Sequence, residues 1–240
     1  MLNTILKNKK IHFVDVGASG GAHKRWKKLE GNLRTFLFEP DVRSYEKLET
    51  SHSYGVSLYN CALSDNNGEA DFYLCKDPQK SSSLQPNFDC LQMFHNPERY
   101  HVIGKEKYKS YSLDFLLKSE KEGDIDFIKL DTQGSELSIL HGASETLDNV
   151  IGLEVEVEFV KLYEEQSLFS DIDQFLKSKN FQLIDLSRYH WNRNEHKVGI
   201  EKGQLIFSDA LYFKTPEVLI EDDNTTPEMI IKALVLYVLY

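Results

Sequence analysis

The 240-residue sequence has few cysteines, little positive charge and no long apolar run. Its three cysteines, Cys61, Cys75 and Cys90, are odd in number and show no CxxC spacing. This pattern argues against a disulfide framework and a zinc site, and it fits a reducing compartment. With no His/Cys cluster in view, we expect no bound metal, although carboxylates alone can ligate a hard cation.

Positive charge is scarce: 28 Lys and Arg stand against 38 Asp and Glu, a formal net charge of -10. Phosphate binding normally needs a clustered basic face, so we expect no nucleic-acid partner. The one basic cluster, residues 24–28, is short. It is either the solvated face of the first helix or a surface that meets an anionic substrate.

No apolar stretch is long enough to span a bilayer. The most apolar one, residues 229–240, contains Lys232 and falls short of the roughly 18 to 20 residues required. Thr226 and Pro227 predict a helix start there, and we expect this helix to pack on the domain or to join a homo-oligomer. The first ten residues lack an apolar core and a small-residue cleavage site, so we expect a cytoplasmic protein.

The residues that are present predict one α/β domain. Apolar residues make up 41% and charged residues 28% of the chain, as in ordinary globular proteins. Short apolar runs alternate with amphipathic stretches, which indicates a mostly parallel sheet. The predicted strands are 11–16, 35–38, 56–62, 70–74, 127–130, 150–159, 182–186 and 205–213, the last two as an antiparallel edge. The predicted helices are 23–29, 42–49, 113–118, 136–141 and 170–179.

Two connecting segments carry further expectations. Residues 64–69 include Asn67-Gly68 and predict a tight hairpin turn that leads into the strand at 70–74. Residues 76–107 have little periodicity and predict a loop or lid with short helical turns. Its aromatic residues either anchor the loop to the core or stack on an acceptor.

A glycine-rich turn follows the first strand, where nucleotide-like ligands bind in open α/β sheets. Gly17 and Gly20 would let the backbone approach a ligand, and Asp15 could accept hydrogen bonds from an amino group. The Gly-x-x-Gly spacing differs from the dinucleotide fingerprint. Glu39, at the end of the second strand, suits two hydrogen bonds to ribose hydroxyls, a feature shared with nicotinamide-binding proteins.

In these features the sequence resembles the FkbM-type methyltransferases, which depend on S-adenosylmethionine. The matching segments are Phe13–Gly20, Phe38–Pro40, Asn60–Asp65 with Gly68 and Phe72-Tyr73, and Ile128–Glu136 with Leu140–Ala143. They span about residues 11–186. One position departs from the family, which commonly has Glu where this sequence has Gln133.

The resemblance implies a Rossmann-like class I methyltransferase fold, with a mostly parallel central sheet, an antiparallel edge and helices on both faces. The domain would cover residues 1–215, followed by a linker and apolar helix at 216–240. The cofactor-binding residues it implies are Asp15, Gly17, Gly20, Glu39, Pro40, Ala62 and Leu63. Asp131 would lie near the transferred methyl group.

The remaining candidates are bases for a hydroxyl acceptor, since such a base must reach the acceptor proton. We predict Asp131, Glu136 and Glu158 as the catalytic residues. Glu136 could instead cap its helix, and His141 could complement a helix end. Glu154, Glu156 and Glu158 should share one strand face. This face is either an exposed polar edge, a set of paired charges or the acidic wall of the acceptor site.

The leading hypothesis is an O-methyltransferase for a sugar or another hydroxylated small metabolite. Because Gln133 replaces the usual Glu, a second hypothesis is a module that binds S-adenosylmethionine without turnover. Because nicotinamide-binding proteins also have an acidic residue at the position of Glu39, a third hypothesis is a nicotinamide-dependent dehydrogenase.

Overall fold

The computed structural model describes residues 2–19, 21, 23–50, 55–120, 123–194 and 202–240. The strands are β1 Ile11–Val16, β2 Leu33–Phe38, β3 Val56–Tyr59, β4 Ala62–Leu63, β5 Gly68–Cys75, β6 Val102–Tyr111, β7 Phe127–Leu130, β8 Gly152–Glu158, β9 Gln182–Trp191 and β10 Gln204–Phe213. The α-helices are α1 Leu2–Leu6, α2 Val42–Glu49, α3 Phe88–Leu91, α4 Leu113–Glu120, α5 Glu136–His141, α6 Phe169–Ser178, α7 Pro216–Glu221 and α8 Pro227–Leu239. Short 3-10 helices occupy Lys24–Leu29, Pro78–Lys80, Pro97–Tyr100 and Thr146–Asp148.

The central sheet has seven strands in the order β3-β2-β1-β7-β8-β10-β9. The first five run parallel, and β10 pairs antiparallel with both β8 and β9. The expected Rossmann-like sheet with an antiparallel edge is therefore confirmed. The last strand in sequence, β10, lies inside the sheet, so that β9 forms the edge.

Both faces of this sheet are covered by apolar cores. Val14 and Val16 of β1 point into a core shared with α5 and α6. Ile11 and Phe13 point the other way, into a second core with Trp26 and α8. Side chains of one strand are thus buried in two cores on opposite faces, as expected when helices cover both faces of a parallel sheet.

A second sheet of three strands, in the order β4-β6-β5, lies beside the first and corrects three expectations. The strand expected at 56–62 divides: β3 joins the central sheet and β4 the small one. The hairpin at 64–69 is wrong, because β6 lies between β4 and β5 and pairs with both. Residues 102–107, expected as loop, belong to β6. That strand is mostly exposed, so it has no apolar alternation for a sequence reading to detect.

The C-terminal segment packs on the sheet through α8. Val235, Leu236 and Leu239 are buried in the second core, and Lys232 forms a buried ion pair with Asp126, 3.0 Å between Nζ and Oδ2. No helix within the described ranges combines the length and apolarity needed to cross a membrane. The outward side chains of Leu234 and Val238 are exposed, and assembly through this helix stays a prediction.

Candidate active site

The site forms where three parallel strands end side by side. Val16 of β1 is in register with Phe38 of β2 and with Leu130 of β7. The residues that follow, Gly17, Glu39 and Asp131, therefore emerge together at the carboxyl edge of the sheet, as in other open α/β sheets with ligand sites. Backbone bonds hold them there: Gly17 N donates to Phe38 O and Asp131 N to Val16 O, both at 3.0 Å.

Gly17 is the tightest point of this edge. Its φ is +77°, and a Cβ added to it would lie 1.9 Å from the backbone oxygen of Asp131. Only glycine combines that conformation with so close an approach. The companion glycine of the predicted turn, Gly20, lies outside the described residues.

A cavity of about 260 Å³ opens at this edge. Its lining includes six of the seven predicted cofactor residues and the predicted catalytic Asp131. These are Asp15, Gly17, Glu39, Pro40, Ala62, Leu63 and Asp131. Residues up to 116 positions apart in sequence thus meet around one space, because parallel strands end at the same edge of the sheet.

Charges alternate across the strands at the floor of the cavity. Asp15 is in register with Lys129, and Lys129 with Glu154. The Lys129 ammonium lies 3.9 Å from Asp15 Oδ1 and 3.3 Å from Asp131 Oδ2, and Arg25 pairs with Glu154 at 3.4 Å. Burial would lower the pKa of Lys129, but the carboxylates of Asp15, Asp131 and Glu154 raise it, so the residue stays cationic.

Asp15 itself is an incompletely satisfied carboxylate. It is buried, and its Oδ1 has no hydrogen-bond partner among the described residues. Burial raises the pKa of Asp15 to about 6, against the opposing effect of Lys129. A buried carboxylate without a donor is costly, so the site is suited to a ligand that brings one.

Glu39 is likewise buried, beside the start of α2. Its Oε1 accepts a hydrogen bond from Asp41 N at 2.9 Å. Burial raises its pKa to about 7, while the Asp41 bond opposes the rise. The carboxylate is therefore held in one orientation at the cavity wall, as recognition of a diol requires.

A short segment, residues 78–83, forms the roof of the cavity. Arg43 ties it to α2: its guanidinium binds the Asp41 carboxylate and donates to Cys75 O at 3.1 Å and Ser81 Oγ at 3.0 Å. Ser82 Oγ donates to Gln133 O at 2.8 Å. These bonds attach the roof on both sides of the cavity. A lid movement of the 76–107 segment stays a prediction.

At the far wall, Gln133 connects two acids. Its Nε2 donates to Asp131 Oδ1 at 3.0 Å and to Glu156 Oε2 at 2.6 Å. Its Oε1 lies 3.2 Å from Lys80 Nζ and 3.1 Å from the Tyr163 hydroxyl. Every hydrogen-bonding atom of this amide therefore has a partner of the right kind.

The two acids at this wall, Asp131 and Glu156, differ in charge. Burial would raise the pKa of Asp131, but the Lys129 ammonium and hydrogen bonds from Gln133 and Glu156 bring it below the ordinary value. Burial and the neighbouring carboxylates of Asp131 and Glu158 hold the pKa of Glu156 well above the ordinary range. Asp131 is therefore the carboxylate that carries negative charge at neutral pH.

The other two predicted catalytic residues do not line the cavity. Glu136 is buried and accepts from Thr132 N at 2.7 Å and Gly134 N at 3.0 Å, so it fastens the turn before its own helix. Glu158 is buried two residues beyond Glu156, and burial raises its pKa well above the ordinary range. The strand face that carries it is a buried wall, so the alternative of an exposed edge is wrong.

Sequence reasoning missed Lys80, Lys129 and Gln133 as site residues, and it preferred Glu158 to Glu156. The register between β7 and β8 was the available signal: Leu130 lies opposite Val155, which puts Glu156 beside Asp131. For Lys80 no local signal exists, because it reaches the site from a roof segment about fifty residues before Asp131 in sequence.

The residues present fit S-adenosylmethionine, the cofactor implied by the sequence resemblance. Asp15 offers an unpartnered carboxylate oxygen for the amino group of the methionine part. Glu39 offers a fixed carboxylate for the ribose, and Ala62, Leu63 and Phe72 an apolar wall for the adenine. By contrast, no group of three or more His, Cys, Asp or Glu in the described part of the chain is arranged to hold a metal ion.

A family model agrees with this geometry. The family model described as Methyltransferase FkbM domain matches residues 15–183. A search of curated proteins finds no match.

Solved structures with similar folds are distant in sequence. They include TrmK of M. capricolum with S-adenosylhomocysteine (11% identity, 89% of this chain and 67% of that chain covered, TM-score 0.41). A second is precorrin 8W decarboxylase of Methanobacterium thermoautotrophicum (12% identity, 89% of this chain and 87% of that chain covered, TM-score 0.41). A third is an rRNA methylase of Streptococcus thermophilus (10% identity, 89% of this chain and 91% of that chain covered, TM-score 0.40). The match of the family model, which covers the glycine turn, Glu39 and the Asp131 turn, places the chain in the FkbM methyltransferase family, with S-adenosylmethionine as its cofactor.

Proposed function

We propose that this protein transfers the methyl group of S-adenosylmethionine to a hydroxyl oxygen of a small metabolite such as a sugar. The observation that carries the proposal is Asp131, a half-buried anionic carboxylate in the same cavity as the cofactor residues. A hydroxyl acceptor must lose a proton as it attacks, and a carboxylate within reach can take it.

The cofactor supplies a methyl group already activated on a sulfonium. The tasks left to the protein are therefore to hold the acceptor in line and to receive its proton. Asp15 and Glu39 would orient the two ends of the cofactor, and Gly17 permits its close approach to the backbone. Asp131, one strand away from Gly17, would lie on the acceptor side.

The composition of the cavity wall supports a hydroxylated acceptor. Around Asp131 the lining is polar, with Lys80, Ser83, Gln133 and Glu156. Such donors and acceptors suit hydroxyl groups, whereas an apolar acceptor would leave them unpaired. The net charge of -10 favours a small-molecule acceptor over a nucleic acid.

Incubation of metabolite extracts with the protein and S-adenosylmethionine labelled in the methyl group, followed by mass spectrometry, tests this proposal. We expect label on an oxygen of a hydroxylated metabolite. Label on nitrogen or carbon would overturn the assignment of the acceptor. Binding of S-adenosylhomocysteine without transfer to any fraction would favour the non-catalytic alternative, for which Gln133 was the motive.

A further inference from the structure

The side-chain amide of Gln133 lies between the carboxyl groups of Asp131 and Glu156 and donates hydrogen bonds to both. Its Nε2 contacts both, at 3.0 Å from Asp131 Oδ1 and 2.6 Å from Glu156 Oε2. Two ionised carboxylates that share one donor nitrogen repel each other strongly, so such a pair retains one proton. Only one of the two acids is therefore charged.

The surroundings decide which acid keeps the proton. Glu156 is 7% exposed, and its neighbours include two further buried acids, Glu136 and Glu158. The Asp131 side chain is 35% exposed and lies 3.3 Å from the Lys129 ammonium. Negative charge is favoured beside Lys129 and penalised at the buried position.

We propose that Asp131 and Glu156 form an acid pair that holds one proton on Glu156 and the negative charge on Asp131, with the Gln133 amide fixing this distribution. The inference of a shared proton follows from the contacts of Gln133 and Lys129 and does not depend on the proposed function. The catalytic use of the pair rests on the proposed hydroxyl acceptor.

The side-chain NH₂ group of Gln133 donates hydrogen bonds to this acid pair, and its amide oxygen faces away from the pair. Lys80 Nζ and the Tyr163 hydroxyl lie at its Oε1, so the NH₂ group must face the acids. Its backbone φ is +60°, an unfavourable conformation for a residue other than glycine. Such conformations persist where surrounding contacts require them, and the Ser82 bond to Gln133 O is one of those contacts.

Charged and titratable groups face Glu156 from several elements. They are Asp131 on the turn after β7, Glu136 on α5, Glu158 on β8, Lys80 in the roof and Tyr163 after β8. The only cation in this set is Lys80, and its Nζ is 3.2 Å from the Gln133 amide oxygen. Lys129 adds a second cation beside Asp131, so four acids face two lysines, and the remaining excess of negative charge favours a retained proton at neutral pH.

In the proposed step the acceptor oxygen forms a bond to the methyl carbon as the bond from that carbon to sulfur breaks. The bonding electrons pass to sulfur and give S-adenosylhomocysteine, and the acceptor proton passes to the Asp131 carboxylate. Glu156 keeps its own proton throughout. Asp131 then releases the proton to water, because its side chain is partly exposed. Glu156 and Gln133 are positioning residues in this step, and Asp131 is the catalytic one.

Infrared spectroscopy of the folded protein tests the pair without reference to activity. Native protein at neutral pH should show the C=O stretch of a neutral carboxyl that disappears in Glu156→Gln and changes frequency in Asp131→Asn. Glu154→Gln is the matched control, two residues earlier on the same strand, and should remove no such band because Glu154 pairs with Arg25. If Glu156→Gln leaves every neutral-carboxyl band in place, the pair does not exist as proposed.

The pH profile of methyl transfer tests the role of Gln133. Gln133→Glu replaces the donor by a third carboxyl group, so the cluster should bind another proton. We expect the acid limb of the rate profile of Gln133→Glu to move up by at least about one pH unit relative to native protein. An unmoved acid limb in folded Gln133→Glu protein would contradict the role of the amide. Absence of methyl transfer in native protein would sink the proposed function and leave the infrared result standing.

Discussion

Gly17 is the residue whose replacement the structure penalises most clearly. In Gly17→Ala the new Cβ would meet the Asp131 carbonyl at 1.9 Å in addition to adopting a φ of +77°. Gly21→Ala is the matched control, since it has a φ of +69° but nothing within 4 Å of the added Cβ. Positive φ alone costs about 1 to 2 kcal/mol for alanine. We expect Gly17→Ala to lower the free energy of unfolding by at least about 2 kcal/mol more than Gly21→Ala, measured by urea denaturation. Equal losses would contradict the close approach.

Glu39, proposed to bind the cofactor, is expected to reduce the stability of the cofactor-free protein above neutral pH. Its pKa rises from 4.5 to about 7 on folding, so the folded state holds the proton more tightly than the unfolded state does. The stability linked to that proton is complete below pH 4.5 and is lost as pH rises through about 7. The rise corresponds to on the order of 3 kcal/mol.

Glu39→Gln should remove this dependence, because the amide oxygen can still accept from Asp41 N but cannot ionise. Thermal unfolding without cofactor should show the variant more stable than native protein at pH 8 and equal to it at pH 4. Glu49→Gln, at an exposed position of α2, controls for the loss of one negative charge. A constant difference between Glu39→Gln and native protein at both pH values would contradict the burial argument.

At the level of elements, sequence patterns predicted the central strands and the strand at 70–74, which is β5, but they missed β6. The spans 127–130 and 42–49 agree with β7 and α2, because an apolar strand with a polar turn and an amphipathic helix are local signals. β6 was missed because it is stabilised by pairing with β5 rather than by a buried face. The same division holds in the site: strand-end residues were predictable, whereas Lys80 and Gln133 depend on a distant roof and a left-handed turn.

The docking of α8 depends on a buried charge. Lys232→Met would leave Asp126 buried without its cation, and loss of one partner of a buried ion pair costs about 3 to 5 kcal/mol. Lys9→Met is the control, because the pair of Lys9 with Glu228 is partly exposed, and exposed pairs contribute about 1 kcal/mol or less. Chemical denaturation measures both variants. Losses of similar size would show that the Lys232 pair is not effectively buried.

The roof over the cavity depends on Arg43. Arg43→Met would release residues 78–81 from α2, so that cofactor binding has to order them. We expect an approximately tenfold weaker affinity for S-adenosylhomocysteine by calorimetry, because preorganisation reduces the entropy cost of binding. Arg99→Met, which removes a guanidinium bound within its own turn, should bind like native protein. Unchanged affinity in Arg43→Met would mean that the roof does not contact the cofactor.

For the whole molecule, the fold explains why one edge carries all the chemistry. The parallel strands β1, β2, β7 and β8 bring Gly17, Glu39, Asp131 and Glu156 to a single cavity, while β9, β10 and α8 complete the sheet and its two cores. The acceptor is the part that sequence reasoning could not supply. It depends on the shape of the wall around Lys80 and Gln133, which arises from contacts between segments far apart in the chain.

The central claim is that this cavity transfers a methyl group with Asp131 as the base. The most direct test compares labelled methyl transfer by native and Asp131→Asn protein on the acceptor found in extracts, with S-adenosylhomocysteine affinity measured in parallel. We predict that affinity stays within a few-fold while the transfer rate falls by about 10² or more, the usual contribution of a general base. A variant that binds and transfers at the native rate would contradict the claim.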